Sequence, residues 1–129
     1  MSKLNRESVI GISALLVHAA NIDENYSDHE KKLIKDFINS YLKNESANEI
    51  LTKAEEIENN SNQLLNYTAI IKENTFEIKK DIIEHLWKVI ISDNTVDQYE
   101  SNLMRRVCGL IYFPDKECAE IKLKLINNK

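Results

Sequence analysis

The segment LVHAANIDENYSDHEKKL at residues 16–33 recurs, with the same spacing of its key residues, as LWKVIISDNTVDQYESNL at residues 86–103. In each copy an apolar run leads to an aspartate, a serine or aspartate follows after three more residues, and a glutamate after a further two. Asp23 pairs with Asp93 and Glu30 with Glu100, at a constant offset of 70 residues. We therefore predict a duplicated helical hairpin, with repeat halves at about residues 5–43 and 75–113 in a pseudo-two-fold arrangement.

The composition of the whole chain also favours helices. Its 129 residues include two glycines and one proline, whereas these two residue types together make up about 12% of an average protein. Tight turns between strands depend on both residue types, and helices avoid them. Because 43% of the residues are hydrophobic, 29% are charged and no linker divides the chain, we predict one all-α domain spanning residues 1–129.

Apolar residues recur at the spacing of helix faces, and they predict six to seven helices that begin near residues 5, 27, 46, 61, 74, 97 and 114. The third helix should begin at a capping box formed by Ser46 and Glu49. Its predicted inner face consists of Ile50, Leu51, Ala54 and Ile57. The fifth helix, capped by Asn74 or Thr75, has apolar residues around most of its circumference, which is typical of a helix packed on several sides.

Both acidic turns match the pattern that begins a helix. In a capping box, the side chain of Ser27 accepts a hydrogen bond from a backbone N–H, and Glu30 reaches back to the N–H of the cap. Asp97 and Glu100 repeat the pattern, and the positive end of the helix dipole favours the negative charge of Asp97. Helix capping by these four residues is our preferred interpretation.

The alternative interpretation of the acidic turns is a weak divalent-cation site. Its predicted metal ligands are Asp23, Glu30, Asp93 and Glu100. Hard cations such as calcium bind carboxylate oxygens, but an EF-hand loop needs glycine at its sixth position and glutamate at its twelfth. Counting from Asp23, these positions hold Asp28 and Ile34. The side chains of Asp23 and Asp93 can also accept hydrogen bonds from the amides of the turn. Apart from a weakly bound divalent cation, we expect no cofactor.

Signatures of catalysis are missing from the sequence. There is no HExxH motif, and no glutamate has a histidine three residues further on, as a ferritin-like di-iron site would require. Gly11 and Gly109 are too few to build a phosphate-binding loop. We therefore predict that the protein is not an enzyme.

Charge and hydropathy limit the partners. The net charge of −4, with dispersed lysines, argues against a nucleic-acid partner. The uncharged run around His18 is shorter than the roughly 20 residues that span a bilayer. Without a clear targeting signal, we predict a cytoplasmic protein with no direct membrane insertion. Cys108 and Cys118 form neither a CxxC pair nor a disulfide framework, and we interpret them as buried, reduced side chains.

The second copy of the repeat continues as LWKVIISDNTVDQYESNLMRRVCGLIY at residues 86–112. This stretch resembles the "LW…ADG.LD.YE..L.RRVA.LL" signature of the TerB tellurite-resistance family, and the resemblance extends over nearly the whole chain. Where that family has glycine after each aspartate, this chain has Glu24 and Asn94. The resemblance implies an all-α fold of six or seven helices and a link to tellurite or other stress responses.

Taken with that resemblance, the residues predict a cytoplasmic interaction module. We expect it to bind a protein partner, not identified by the sequence, through the surface near the two acidic turns. The alternative is a stress protein that binds a divalent cation through the same carboxylates. Asn in place of Asp23 and Asp93 should still accept hydrogen bonds from turn amides, whereas a cation site would lose the charge on which its affinity depends.

Overall fold

The computed structural model describes residues 6–21, 28–43, 46–60, 68–69, 71–91 and 98–127. At residue 60 and at residues 98–100 it describes the backbone but not the side chains. Six helices make up most of these ranges. They are α1 (Arg6–Asn21), α2 (Asp28–Tyr41), α3 (Ala47–Asn60), α4 (Phe76–Ile91), α5 (Gln98–Leu110) and α6 (Asp115–Asn127). No strand occurs in these ranges, which confirms the predicted all-α class. Of the helix predicted to begin near residue 61, only positions 68–69 and 71–72 are described as helical.

Two helix starts show the predicted capping bonds. The Oγ of Ser46 accepts a hydrogen bond from the backbone N–H of Glu49 at 3.4 Å, as the capping box predicts for α3. At the start of α4, the Oγ1 of Thr75 accepts a hydrogen bond from the N–H of Ile78 at 3.3 Å. Thr75, one of the two caps proposed for this helix, therefore supplies a side-chain bond.

The chain reverses after α5 through a Schellman motif. The N–H of Phe113 donates to the carbonyl of Cys108 at 2.8 Å, and the N–H of Tyr112 donates to the carbonyl of Gly109 at 3.4 Å. Tyr112 has a φ of 60°, the left-handed conformation that this motif requires after a helix. Pro114 then accepts the first helical bond of α6, from the N–H of Cys118 at 3.1 Å. This turn folds α6 back beside α5.

The core lies around α1 and α4. Eleven of the 16 residues of α1 are buried, and this helix packs against α2, α3 and α4. Eight residues of α4 are buried, and α4 also contacts α2, α5 and α6. A helix packed on several sides was predicted for α4 and is confirmed. No helix in the described ranges is long and apolar enough to cross a membrane.

One predicted core position is wrong. Ile50, Leu51 and Ala54 are buried as expected, but Ile57 is 38% exposed and Glu58 is 8% exposed. The carboxylate of Glu58 lies 2.9 Å from Nδ1 of His18 in α1. A polar contact therefore takes the inner side of α3, where apolar spacing had placed Ile57. A buried carboxylate is stable only with such partners.

The burial pattern recurs at the predicted offset of 70. Residues 16–20 and 86–90 both consist of two buried residues, a half-buried one and two more buried ones. Leu16 and Leu86, at equivalent positions, are both fully buried. The pseudo-two-fold arrangement of the two hairpins stays a prediction.

Candidate functional site

The two acidic turns connect consecutive helices. The first lies between the end of α1 at Asn21 and the start of α2 at Asp28, and the second lies between α4 and α5. Asp23, Ser27, Asp93 and Asp97 fall outside the described residues, and Glu100 is described by its backbone alone, within α5. Among the four predicted cation ligands, the structure therefore describes only the side chain of Glu30.

Glu30 is the third residue of α2 and is 4% exposed. This is the position from which the glutamate of a capping box reaches back to the cap. The positive end of the helix dipole also favours a carboxylate there. Burial of a carboxylate without partners would be costly, so partners hold Glu30 at the start of α2. Its burial agrees with capping, which places the carboxylate against backbone.

A second polar contact holds the helix that leads into the first turn. His18 lies in the last turn of α1, and its Nδ1 is 2.9 Å from a carboxylate oxygen of Glu58 in α3. The contact makes His18 a hydrogen-bonded histidine at the boundary of the core. Because the pair joins α1 to α3 three residues before α1 ends, it fixes the helix end from which the first acidic turn departs.

A polar cluster also joins α2 to α4. The hydroxyl of Tyr41 donates to a carboxylate oxygen of Asp81 at 2.6 Å, and Nδ1 of His85 is 2.8 Å from the backbone carbonyl oxygen of Asp81. The ring of Phe37 packs edge-on against His85, with centroids 5.1 Å apart. Burial and the hydrogen bond to Asp81 raise the pKa of Tyr41 far above its ordinary value. No sequence pattern indicates this cluster, because Tyr41 and Asp81 are 40 residues apart and share no local motif.

We expect Tyr41→Phe to lower the free energy of unfolding by about 1–2 kcal/mol, because the hydrogen bond is to a charged group that is partly exposed. The raised pKa means that folding favours the neutral phenol. This stabilisation is therefore complete below the ordinary pKa of 10.0 and is lost as pH rises above it. Urea titrations at neutral and alkaline pH would measure both effects. Tyr112→Phe is the matched control, since Tyr112 is 72% exposed. Equal losses for the two variants would contradict a stabilising role for the Tyr41–Asp81 bond.

The part of the chain that the structure describes brings together no cluster of metal-binding side chains. No group of three or more His, Cys, Asp or Glu side chains within the described ranges is placed to hold a metal ion. The polar pairs found there join helices: His18 with Glu58, and Tyr41 with Asp81. They account for how the ends of the helices are held, and they leave the acidic turns as the predicted site of function.

Comparison with known proteins identifies a family. A family model described as "Tellurite resistance protein TerB" matches residues 10–123 of the 129-residue chain. Neither the curated proteins nor the solved structures gave a significant match. The matched range begins inside α1 and ends inside α6, so it includes both acidic turns and all six helices in whole or in part. The resemblance inferred from the sequence is confirmed, and the chain belongs to the TerB tellurite-resistance family.

Proposed function

We propose that the protein is a non-catalytic, cytoplasmic interaction module in the response to tellurite or a related stress, and that it binds a protein partner around its two acidic turns. The observation that supports this most is the family match over residues 10–123, because it links the whole domain to tellurite resistance. The TerB family is generally non-catalytic. A module of this kind acts by presenting a fixed surface to other proteins.

The chemistry of the turns indicates a basic partner surface. The segment from Asp23 to Glu30 carries four carboxylates. At the start of α2, Asp28 is exposed while Glu30 is buried. This division suits recognition, because the carboxylate of Asp28 remains available to lysine and arginine side chains while that of Glu30 is held inside. Complementary charge of this kind contributes to the specificity and rate of association.

Capture of partners by the tagged full-length protein, in the presence of a chelator, tests the proposal. The variant combines Asp23→Asn with Asp93→Asn, which removes charge while keeping a side-chain oxygen for turn amides. The control combines Glu73→Gln with Glu120→Gln, which removes the same charge from exposed positions outside the turns. We expect the turn variant to retain a partner about tenfold less well than wild type, equivalent to about 1.4 kcal/mol. Equal retention by the wild type and both variants would contradict binding at the turns.

The alternative, a cation-binding stress protein, is supported by the density of carboxylates in the first turn. It predicts that calcium, magnesium or zinc stabilises the wild type in a saturable manner. At a hundred times the dissociation constant the gain would be about 2.7 kcal/mol, which for a domain of this size raises the melting temperature by about 10 °C. We expect no such rise in either the wild type or the Asp23→Asn, Asp93→Asn variant. A saturable rise that the double variant lacks would favour cation binding.

A further inference from the structure

A pocket lies where α4, α5 and α6 meet. Trp87 lines it from α4, Met104 and Arg105 line it from α5, and Lys122 lines it from α6. Its volume is about 460 Å³, which falls within the range of roughly 300–1,000 Å³ that is usual for small-molecule sites. The three helices thus leave a concave space of the right size for a small ligand.

The floor of this pocket is apolar. It is formed by Trp87, Met104 and Cys118, which are all buried. The indole N–H of Trp87 donates to the sulfur of Cys118 at 3.3 Å, so the polar end of the indole already has a partner inside the protein. Cys118 is a free thiol, and its burial and that of Cys108 agree with the sequence-based prediction. Such a floor favours contact with hydrocarbon over contact with water.

The rim of the pocket is positively charged. Among the lining residues that the structure describes, Arg105 and Lys122 are cationic and Asp115 is anionic, so one positive charge is in excess. The Nζ of Lys122 lies 5.4 Å from the centroid of the Trp87 ring, a cation–π distance that keeps this ammonium group close to the floor. The half-buried hydroxyl of Ser101 adds a hydrogen-bond donor. A positive rim next to an apolar floor suits an anion with a hydrocarbon part.

The chemistry of the rim also distinguishes between anions. The planar guanidinium of Arg105 presents paired N–H donors, which match the two oxygens of a carboxylate. A phosphate monoester carries nearly two negative charges at neutral pH, and the carboxylate of Asp115 would oppose the second of them. The excess of one positive charge is therefore matched best by a monoanion.

We propose that the pocket between α4, α5 and α6 binds a small organic monocarboxylate, with the carboxylate at Arg105 and Lys122 and the hydrocarbon part on the apolar floor. This site goes beyond the proposed binding of a protein partner. It carries an excess of positive charge, whereas the acidic turns are rich in carboxylates. Binding is reversible, because no covalent bond forms or breaks.

The fluorescence of Trp87 provides the test, because this residue is the only tryptophan of the chain and forms part of the floor. The probe is hexanoate, titrated into the full-length protein at low salt, and we expect a saturable change. Three matched probes separate the contributions: hexan-1-ol lacks the charge, acetate lacks most of the hydrocarbon, and hexyl phosphate carries a second charge. Each of the three should bind at least about fivefold more weakly than hexanoate.

Variants of the rim test the role of its charge. We expect Arg105→Gln and Lys122→Gln each to raise the dissociation constant of hexanoate by about three- to tenfold and to leave that of hexan-1-ol unchanged. Arg106→Gln is the matched control, because Arg106 is the next residue of α5 and is also exposed but does not line the pocket. Lys122 lies over the tryptophan ring, so dissociation constants are compared and not fluorescence amplitudes.

A blocking variant tests the location of the ligand. Ala119 lines the pocket and is exposed, so Ala119→Phe should fill part of the space without disturbing the core. We expect this variant to bind hexanoate at least about tenfold more weakly than wild type, because the larger side chain competes with the ligand for the same volume. Circular dichroism checks that the helices remain.

Several results would overturn the proposal. Equal dissociation constants for hexanoate and hexan-1-ol, or for Arg105→Gln and Arg106→Gln, would mean that the rim does not recognise the carboxylate. Equal binding of hexanoate by wild type and Ala119→Phe would place the ligand outside the pocket, and no saturable change in wild type would mean that the pocket does not take this class of ligand. Tighter binding of a peptide that ends in leucine than of hexanoate would replace the small molecule with the carboxyl terminus of a protein.

Discussion

Replacing Phe37 with alanine is expected to lower the free energy of unfolding by about 3–5 kcal/mol, the range for removing a fully buried aromatic ring. Phe37 is 0% exposed, and its ring centroid lies 5.1 Å from those of Tyr41 and His85. It therefore joins the buried face of α2 to the polar cluster on α4. Its removal leaves a cavity that the close-packed helices can only partly fill, and urea denaturation followed by circular dichroism would measure the loss.

Phe76→Ala is the matched control for this prediction. Phe76 is also in a helix and also contacts an aromatic ring, since it stacks on Phe113 with centroids 5.2 Å apart, but it is 48% exposed. Its loss should cost about 1 kcal/mol, the value of an aromatic pair together with limited burial. If the two variants were destabilised equally, the core would not be centred where the structure places Phe37.

The positions of the helices could be predicted because each depends on residues close together in sequence. The spacing of Ile34, Phe37 and Ile38 predicts one buried helix face, and all three side chains are 0% exposed. The cap at Ser46 was likewise recognisable, because its hydroxyl needs only the N–H three residues further on. Local spacing therefore predicted both where helices begin and which side faces inward.

Contacts between distant residues could not be predicted in the same way. Apolar periodicity placed Ile57 inside, but the chain buries Glu58 because His18, 40 residues earlier, offers it a partner. The turn after α5 is a second case, because it passes through Tyr112 in the left-handed conformation. A left-handed turn at a tyrosine carries little sequence signal, since glycine is the usual residue there. Pairing across helices depends on the tertiary arrangement, which periodicity does not encode.

The acidic turns could be predicted from the sequence only in part. The capping box that includes Glu30 is a local pattern, and the burial of Glu30 in the first turn of α2 agrees with it. Whether the two turns meet depends on the arrangement of the hairpins, which a local pattern does not give. The predicted duplication is thus the assumption on which a shared surface at both turns depends, and it can be tested through stability.

Leu16→Ala and Leu86→Ala should each lower the free energy of unfolding by about 3–5 kcal/mol, with values within about 1 kcal/mol of each other. The two leucines occupy equivalent positions of the predicted repeat, near the ends of α1 and α4, and both are 0% exposed. If the two hairpins are packed alike, equal side chains in equal surroundings leave similar cavities.

Leu123→Ala is the control, because Leu123 is 57% exposed and its truncation should cost no more than about 0.5 kcal/mol. Urea denaturation of all three variants provides the comparison. A large loss at both core leucines that differs by more than about 2 kcal/mol would mean that the cavity relaxes differently at the two positions, and the sequence repeat would then not extend to equivalent packing.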